Sequence, residues 1–126
     1  MANWLVVGVG SFLGGVARYL LAGVAQRLAG PSFPAGTLTV NVVGCLFIGA
    51  VLHLVEDRSM LDPRARLFLG VGVLGGFTTF SAFGYETMEL LRGGGLRLAF
   101  LNVAANVVLG LAAVWLGGAA LRAAGL

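Results

Sequence analysis

Apolar residues fill four long stretches of this chain, and the polar and charged residues gather in short clusters between them. A helix rises 1.5 Å per residue, so about 20 mostly apolar residues carry it across a bilayer core. The first stretch runs from Trp4 to Arg27, with Arg18 as its only internal charge. Gly30, Pro31, Ser32, Phe33 and Pro34 then predict a turn, because proline disfavours helix at the residue before it. The second predicted helix covers Gly36 to Val55 and gives way to a charged stretch from Glu56 to Arg66. The third covers Leu67 to Leu91, where Gly93, Gly94 and Gly95 stop it, and the fourth covers Leu96 to Leu121. Four spans put both termini on one side. The pattern therefore predicts an all-α membrane protein, with residues 1–126 forming a single four-helix transmembrane domain.

Composition supports lipid as the solvent. Hydrophobic residues make up 59% of the chain and charged residues 10%, against roughly 25% charge in an average soluble domain. A soluble domain of 126 residues could not hide that much apolar surface, since small domains bury the smaller fraction of theirs. No Lys or Arg precedes Arg18, so the first stretch reads as a retained helix rather than a cleaved secretory signal. Glycine is abundant at 21 residues, and much of it lies at helix-packing spacing, as in Gly10 with Gly14 and Gly72 with Gly76. Gly110, Ala113 and Gly117 share one face of the fourth helix. Within lipid such small residues let backbones approach closely.

The charges exclude some functions. All eight basic residues are Arg, scattered mostly as flanks to the spans with Arg18 inside the first, and no cluster would suit nucleic acid. One side of the membrane receives Arg58, Arg64, Arg66 and Arg122, the other Arg27, Arg92 and Arg97. Orientation follows the excess of basic residues in short loops, so this near-tie permits insertion either way up. The single cysteine, Cys45, excludes an internal disulfide, and His53 is the only histidine. Neither a metal-ligand cluster nor a Cys/His catalytic pair can be assembled from them, which argues against an enzyme.

Polar groups within a span are costly, and they concentrate here in a few places. Gly75, Gly76, Phe77, Thr78, Thr79, Phe80, Ser81, Ala82 and Phe83 occupy the middle of the third stretch. Paired glycines followed by hydroxyl residues are poor material for a continuous lipid-facing helix. The segment reads either as a break that frees backbone groups to line a cavity or hold an ion, or as a kinked helix whose hydroxyls bond back to carbonyls. Phe80 and Phe83 would share a face after a break, as core packing or with their electropositive ring edges turned to an anion. On the second helix Thr37, Asn41, Gly44 and Ile48 form one stripe, and on the fourth Asn102 and Asn106 lie one turn apart. One asparagine would be glue between helices; three, with the hydroxyls of the third helix, predict a polar track suited to permeation. Arg18 is either a snorkelling charge or a fixed positive charge that draws anions into a vestibule. No carboxylate precedes Glu56, whereas a proton-coupled cation pump needs an acid deep in a span.

Three motifs then identify a resemblance over nearly the whole chain. They are Gly14-Gly15-Val16-Ala17-Arg18-Tyr19, the stretch from Gly36 through Asn41 to Gly44, and Gly75 through Phe83. The chain resembles the Fluc (also called CrcB) fluoride channels. The resemblance implies a dual-topology antiparallel homodimer with two parallel fluoride pores and a break in the third helix. It also implies a structural sodium ion at the dimer axis, held by backbone carbonyls that carry over to Gly75 and Thr78. Phe80, Phe83 and Asn41 match the pore residues, with the neighbouring hydroxyls of Thr79 and Ser81 on the same path. Asn102 and Asn106 resemble in placement the polar track of the fourth helix, and Arg18 matches the family arginine of the vestibule. One departure is Ala82, where many members carry threonine. The role implied is passive export of cytoplasmic fluoride through the cell inner (plasma) membrane, with fluoride, lipid and a second copy of the chain as partners. A small multidrug-type proton-coupled transporter is the nearest alternative, but it would need a glutamate in the first helix, where this chain offers only Arg18.

Overall fold

Four helical spans without any strand make up the computed structural model, which describes all 126 residues. Helix α1 is Asn3–Ala29 and α2 is Ala35–Asp57, the latter ending in a π-helical turn from His53 to Asp57. The third span, Pro63–Arg92, divides into α3 (residues 63–77) and α4 (Phe80–Arg92). The last span is α5, Leu96–Ala123. All four are long and apolar enough to cross a membrane.

The third span begins four residues earlier than the apolar pattern predicts, and the local chemistry explains it. The Asp62 carboxylate accepts from the Ala65 N–H at 2.7 Å, capping the helix, and Pro63 sits in the first turn, where its missing N–H costs nothing. Part of the charged stretch between the second and third predicted helices is therefore helix. Just before it, Ser59 takes a left-handed backbone with φ of 52°. That conformation strains any residue with a Cβ. Ser59→Gly is expected to raise stability by about 0.5 kcal/mol, the relief of strain exceeding the extra chain entropy of glycine. A thermal unfolding midpoint in detergent that falls rather than rises would contradict this.

Small residues govern how the spans pack. A methyl group added at Gly49 would strike the Val114 carbonyl, and one at Gly117 would strike that of Leu46, so α2 and α5 touch backbone to backbone. The same close approach joins α1 to α3, where Gly14 faces the Val73 carbonyl and Gly76 faces Ser11. Val40 and Asn102 are the largest side chains that are fully enclosed, whereas Phe12, Tyr19, Phe100, Leu111 and Trp115 are all exposed. A bundle with its small residues inside and its large apolar residues outside suits a solvent of lipid or of further protein.

At one end, the Arg64 guanidinium donates to the Met1 carbonyl at 2.6 Å, and Arg122 lies 3.8 Å from Asp57. The N-terminus, the loop after α2 and the end of α5 therefore share that end. His53, only 4% exposed, faces Asp57 there at 2.7 Å. At the other end, Gln26 staples the turn between α1 and α2. Its amide donates to the carbonyls of Gly30 and Phe33 at 2.7 and 2.8 Å and accepts from the Gly36 N–H at 3.0 Å.

Candidate functional site

The site is built where α3 hands over to α4. Thr78 and Thr79 both adopt extended backbone, with φ, ψ of −85°, 157° and −147°, 118°. Gly75 and Gly76 stay helical, and the β-branched threonines that follow favour extended backbone, so propensity and structure agree at the break itself. Thr79 then caps α4, its Oγ1 accepting from the Ala82 N–H at 3.2 Å.

Extended residues at this depth free backbone groups that lipid cannot satisfy. Asn41, in the second turn of α2, takes up both polar groups of Thr79. Its Oδ1 accepts from the Thr79 N–H at 2.8 Å, and its Nδ2 donates to the Thr79 carbonyl at 3.1 Å. The same Nδ2 donates to Asn106 Oδ1 on α5 at 3.0 Å. Asn106 in turn donates to the backbone carbonyl and to Oδ1 of Asn102, at 2.8 and 3.0 Å. One side chain thus joins the start of α4 to both α2 and α5.

Other backbone groups stay free. The amides that would close helical bonds onto the Gly75 carbonyl are those of Thr78 and Thr79, and they donate instead to Leu74 O and Asn41 Oδ1. The Thr78 carbonyl accepts no hydrogen bond, although the Thr78 hydroxyl bonds back to Leu74 O at 3.1 Å. Gly75 and Thr78 border an open cavity of about 390 Å³, together with Asn41, Thr79, Asn106, Phe80 and Phe83. The two phenylalanine rings lie 5.4 Å apart between centroids and are tilted by 48°. Phe80 is 82% exposed, so its ring projects from the bundle. No titratable carboxylate, arginine or histidine borders this cavity.

The remaining predicted residues sit apart from it. Ser81 is exposed, with its hydroxyl 3.4 Å from that of Thr79, on the rim rather than in the cavity wall. Asn102 is fully enclosed, at 0% exposure, and stands behind Asn106. Arg18 is partly buried on α1, away from the cavity and outside every ion pair. Two polar contacts have no counterpart in the sequence reading. Thr87 Oγ1 accepts from Asn102 Nδ2 at 2.9 Å, and Thr37 Oγ1 donates to Glu86 at 2.8 Å. Thr87 stands one helical turn after Phe83, and Thr37 one turn before Asn41. Thr37 belongs to the stripe predicted with Asn41, whereas the contact of Thr87 with Asn102 has no signal in the spacing along one helix.

Relatives sharpen the picture. Residues 5–118 match the family described as CrcB-like protein, Camphor Resistance (CrcB). The chain is 47% identical over 117 residues to the fluoride-specific ion channel FluC of Geobacter sulfurreducens, covering 93% of this chain and 94% of that one. It is 46% identical over 119 residues to the same-named channel of Opitutus terrae, covering 93% and 90%. For that of Agrobacterium fabrum the identity is 45% over 117 residues, covering 93% and 94%. With four membrane-crossing helices and a match along nearly its whole length, this multi-pass membrane protein belongs to the CrcB family.

Proposed function

We propose that this chain is a fluoride-selective channel that lets fluoride leave the cytoplasm passively through the inner (plasma) membrane. The observation that carries the reading is an uncharged cavity bordered by Asn41, Thr79, Asn106 and the two phenylalanines, in a chain whose relatives are named fluoride-specific channels. Fluoride is small and strongly hydrated, so a pore must replace its water with donors along the route. Amides, hydroxyls and the positive edges of aromatic rings can do this without a fixed charge that would hold the ion. Both N–H groups of Asn41 already have internal acceptors, Thr79 O and Asn106 Oδ1. An entering fluoride exchanges with one of those acceptors, so its net binding is shallow, which rapid conduction requires. Ser81 and Thr79 extend the donor path outward, Asn102 supports it from behind, and Arg18 supplies positive potential at a vestibule.

The working unit in this reading is an antiparallel pair of identical subunits with two pores. The outward-facing ring of Phe80 and the one-sided cavity favour a second copy as cover. The near-tie of basic residues at the two ends permits either orientation. A structural sodium ion fits the free carbonyls of Gly75 and Thr78, since a hard cation prefers neutral or anionic oxygen and these two oxygens lack donors. Two such carbonyls from each subunit would hold the ion, and its contribution would be to tie the subunits together.

Expression in a bacterium that lacks fluoride export tests the proposal. Growth in fluoride should be restored, with no gain in resistance to a cationic dye. Dye resistance without fluoride resistance would point instead to a proton-coupled multidrug transporter.

A further inference from the structure

We infer that Thr87 is a positioning residue that sets the direction of a hydrogen-bond chain running from the middle of α4 through α5 to Asn41. The inference rests on the channel reading above and concerns a residue to which that reading gives no role. A threonine hydroxyl has one proton. Thr87 gives its proton to the Phe83 carbonyl at 2.7 Å, so toward Asn102 it can only accept. Asn102 must then aim Nδ2 at Thr87, which leaves its Oδ1 for Asn106. Asn106 must aim Nδ2 at Asn102, which leaves its Oδ1 for Asn41. Asn41 finally aims Nδ2 at Asn106 and the Thr79 carbonyl, and offers Oδ1 to the Thr79 N–H.

From Asn41 to the Phe83 carbonyl every bond points the same way, and the chain ends on backbone at both extremities. One end is the carbonyl of Phe83, the other the backbone of Thr79. The chain therefore brackets the first turn of α4, which carries Phe80 and Phe83, and braces it against α2 and α5. Its direction has a chemical consequence. In the observed sense Asn41 turns its amide nitrogen toward the Thr79 carbonyl and Asn106 Oδ1 beside the cavity, and Asn106 turns its own nitrogen back toward the enclosed Asn102. Reversing Asn102 alone would set its nitrogen against that of Asn106, and reversing Asn41 would set its oxygen against the Thr79 carbonyl. Asn102 is fully enclosed, so no water can stand in for a lost partner.

The test compares Thr87→Val, which keeps the shape and loses the hydroxyl, with Thr87→Ser, which keeps the hydroxyl. Fluoride and chloride efflux are measured from liposomes for both variants and the wild type. Thr87→Val should lose roughly ten-fold in fluoride flux and discriminate less well against chloride, as expected for one buried donor left unpaired. Thr87→Ser should restore flux to within about two-fold of wild type. Wild-type flux and selectivity in Thr87→Val would overturn the inference, as would equal losses in both variants, which would indicate packing alone. Should Thr87→Val not fold, hydrogen exchange of the side-chain amides in the wild type decides. Slow exchange at Asn102 compared with the exposed Asn3 supports the chain, and equally fast exchange overturns it. A wild type that passes no fluoride would overturn the channel reading instead, and the exchange measurement would still judge the chain.

Discussion

Asn41→Leu is expected to cut fluoride efflux roughly a hundred-fold while the protein still folds and assembles. The side chain contributes three hydrogen bonds, two of them to the backbone of Thr79 and one to Asn106. Leucine fills nearly the same volume but leaves the Thr79 N–H and carbonyl without partners at mid-span. Each unpaired buried group costs about 1–3 kcal/mol, and each 1.4 kcal/mol corresponds to ten-fold. The cost falls on the first turn of α4 and on the donors beside the cavity, so conduction suffers before the helix bundle does. Efflux from liposomes, with size-exclusion chromatography of the same preparation, checks both halves of the expectation. Wild-type flux in Asn41→Leu would remove Asn41 from the conduction path.

The largest effect on folding is expected at the seam between α2 and α5. Gly49→Ala and Gly117→Ala each place a methyl group against a carbonyl on the opposite helix, those of Val114 and Leu46. A flexible side chain could move aside, but a helix backbone cannot move without separating the two helices over their length. Each substitution should cost about 3 kcal/mol, the upper end of the usual range for overpacking. Because the two sites share one seam, the double variant should cost less than the sum, since parting the helices once relieves both clashes. The yield of monodisperse protein and its thermal midpoint report the effect. Gly8 and Gly15, which have open space where a methyl would stand, serve as controls and should accept alanine.

The spans were legible because lipid imposes a simple requirement, a run of about 20 apolar residues, and the chain meets it four times. Their ends were less so. α1 extends to Asn3 and Ala29, slightly beyond the apolar run, and the third span starts at Pro63 because a cap and a proline override the charge of Arg64 and Arg66. Within the site, the spacing of Phe80 and Phe83 sufficed to put their rings on one face, because both lie on one helix. Asn102 and Asn106 also share a face, yet only Asn106 borders the cavity. Periodicity along a single helix says nothing of which residue its neighbours cover. Thr87 was illegible for the same reason. Its hydroxyl looks like any helical threonine bonded back by one turn, and only the crossing of α4 over α5 brings Asn102 within 2.9 Å of it. The pairing of Asn41 with Thr79 joins residues 38 apart in sequence, and the crossing of α2 with the third span creates it.

Anion efflux from liposomes containing the purified wild-type protein tests the central claim most directly. Fluoride release is followed with a fluoride electrode and chloride release is measured in parallel. Rapid fluoride release with little chloride release is the expected result. Folded protein that releases no fluoride, or releases the two anions alike, would contradict it.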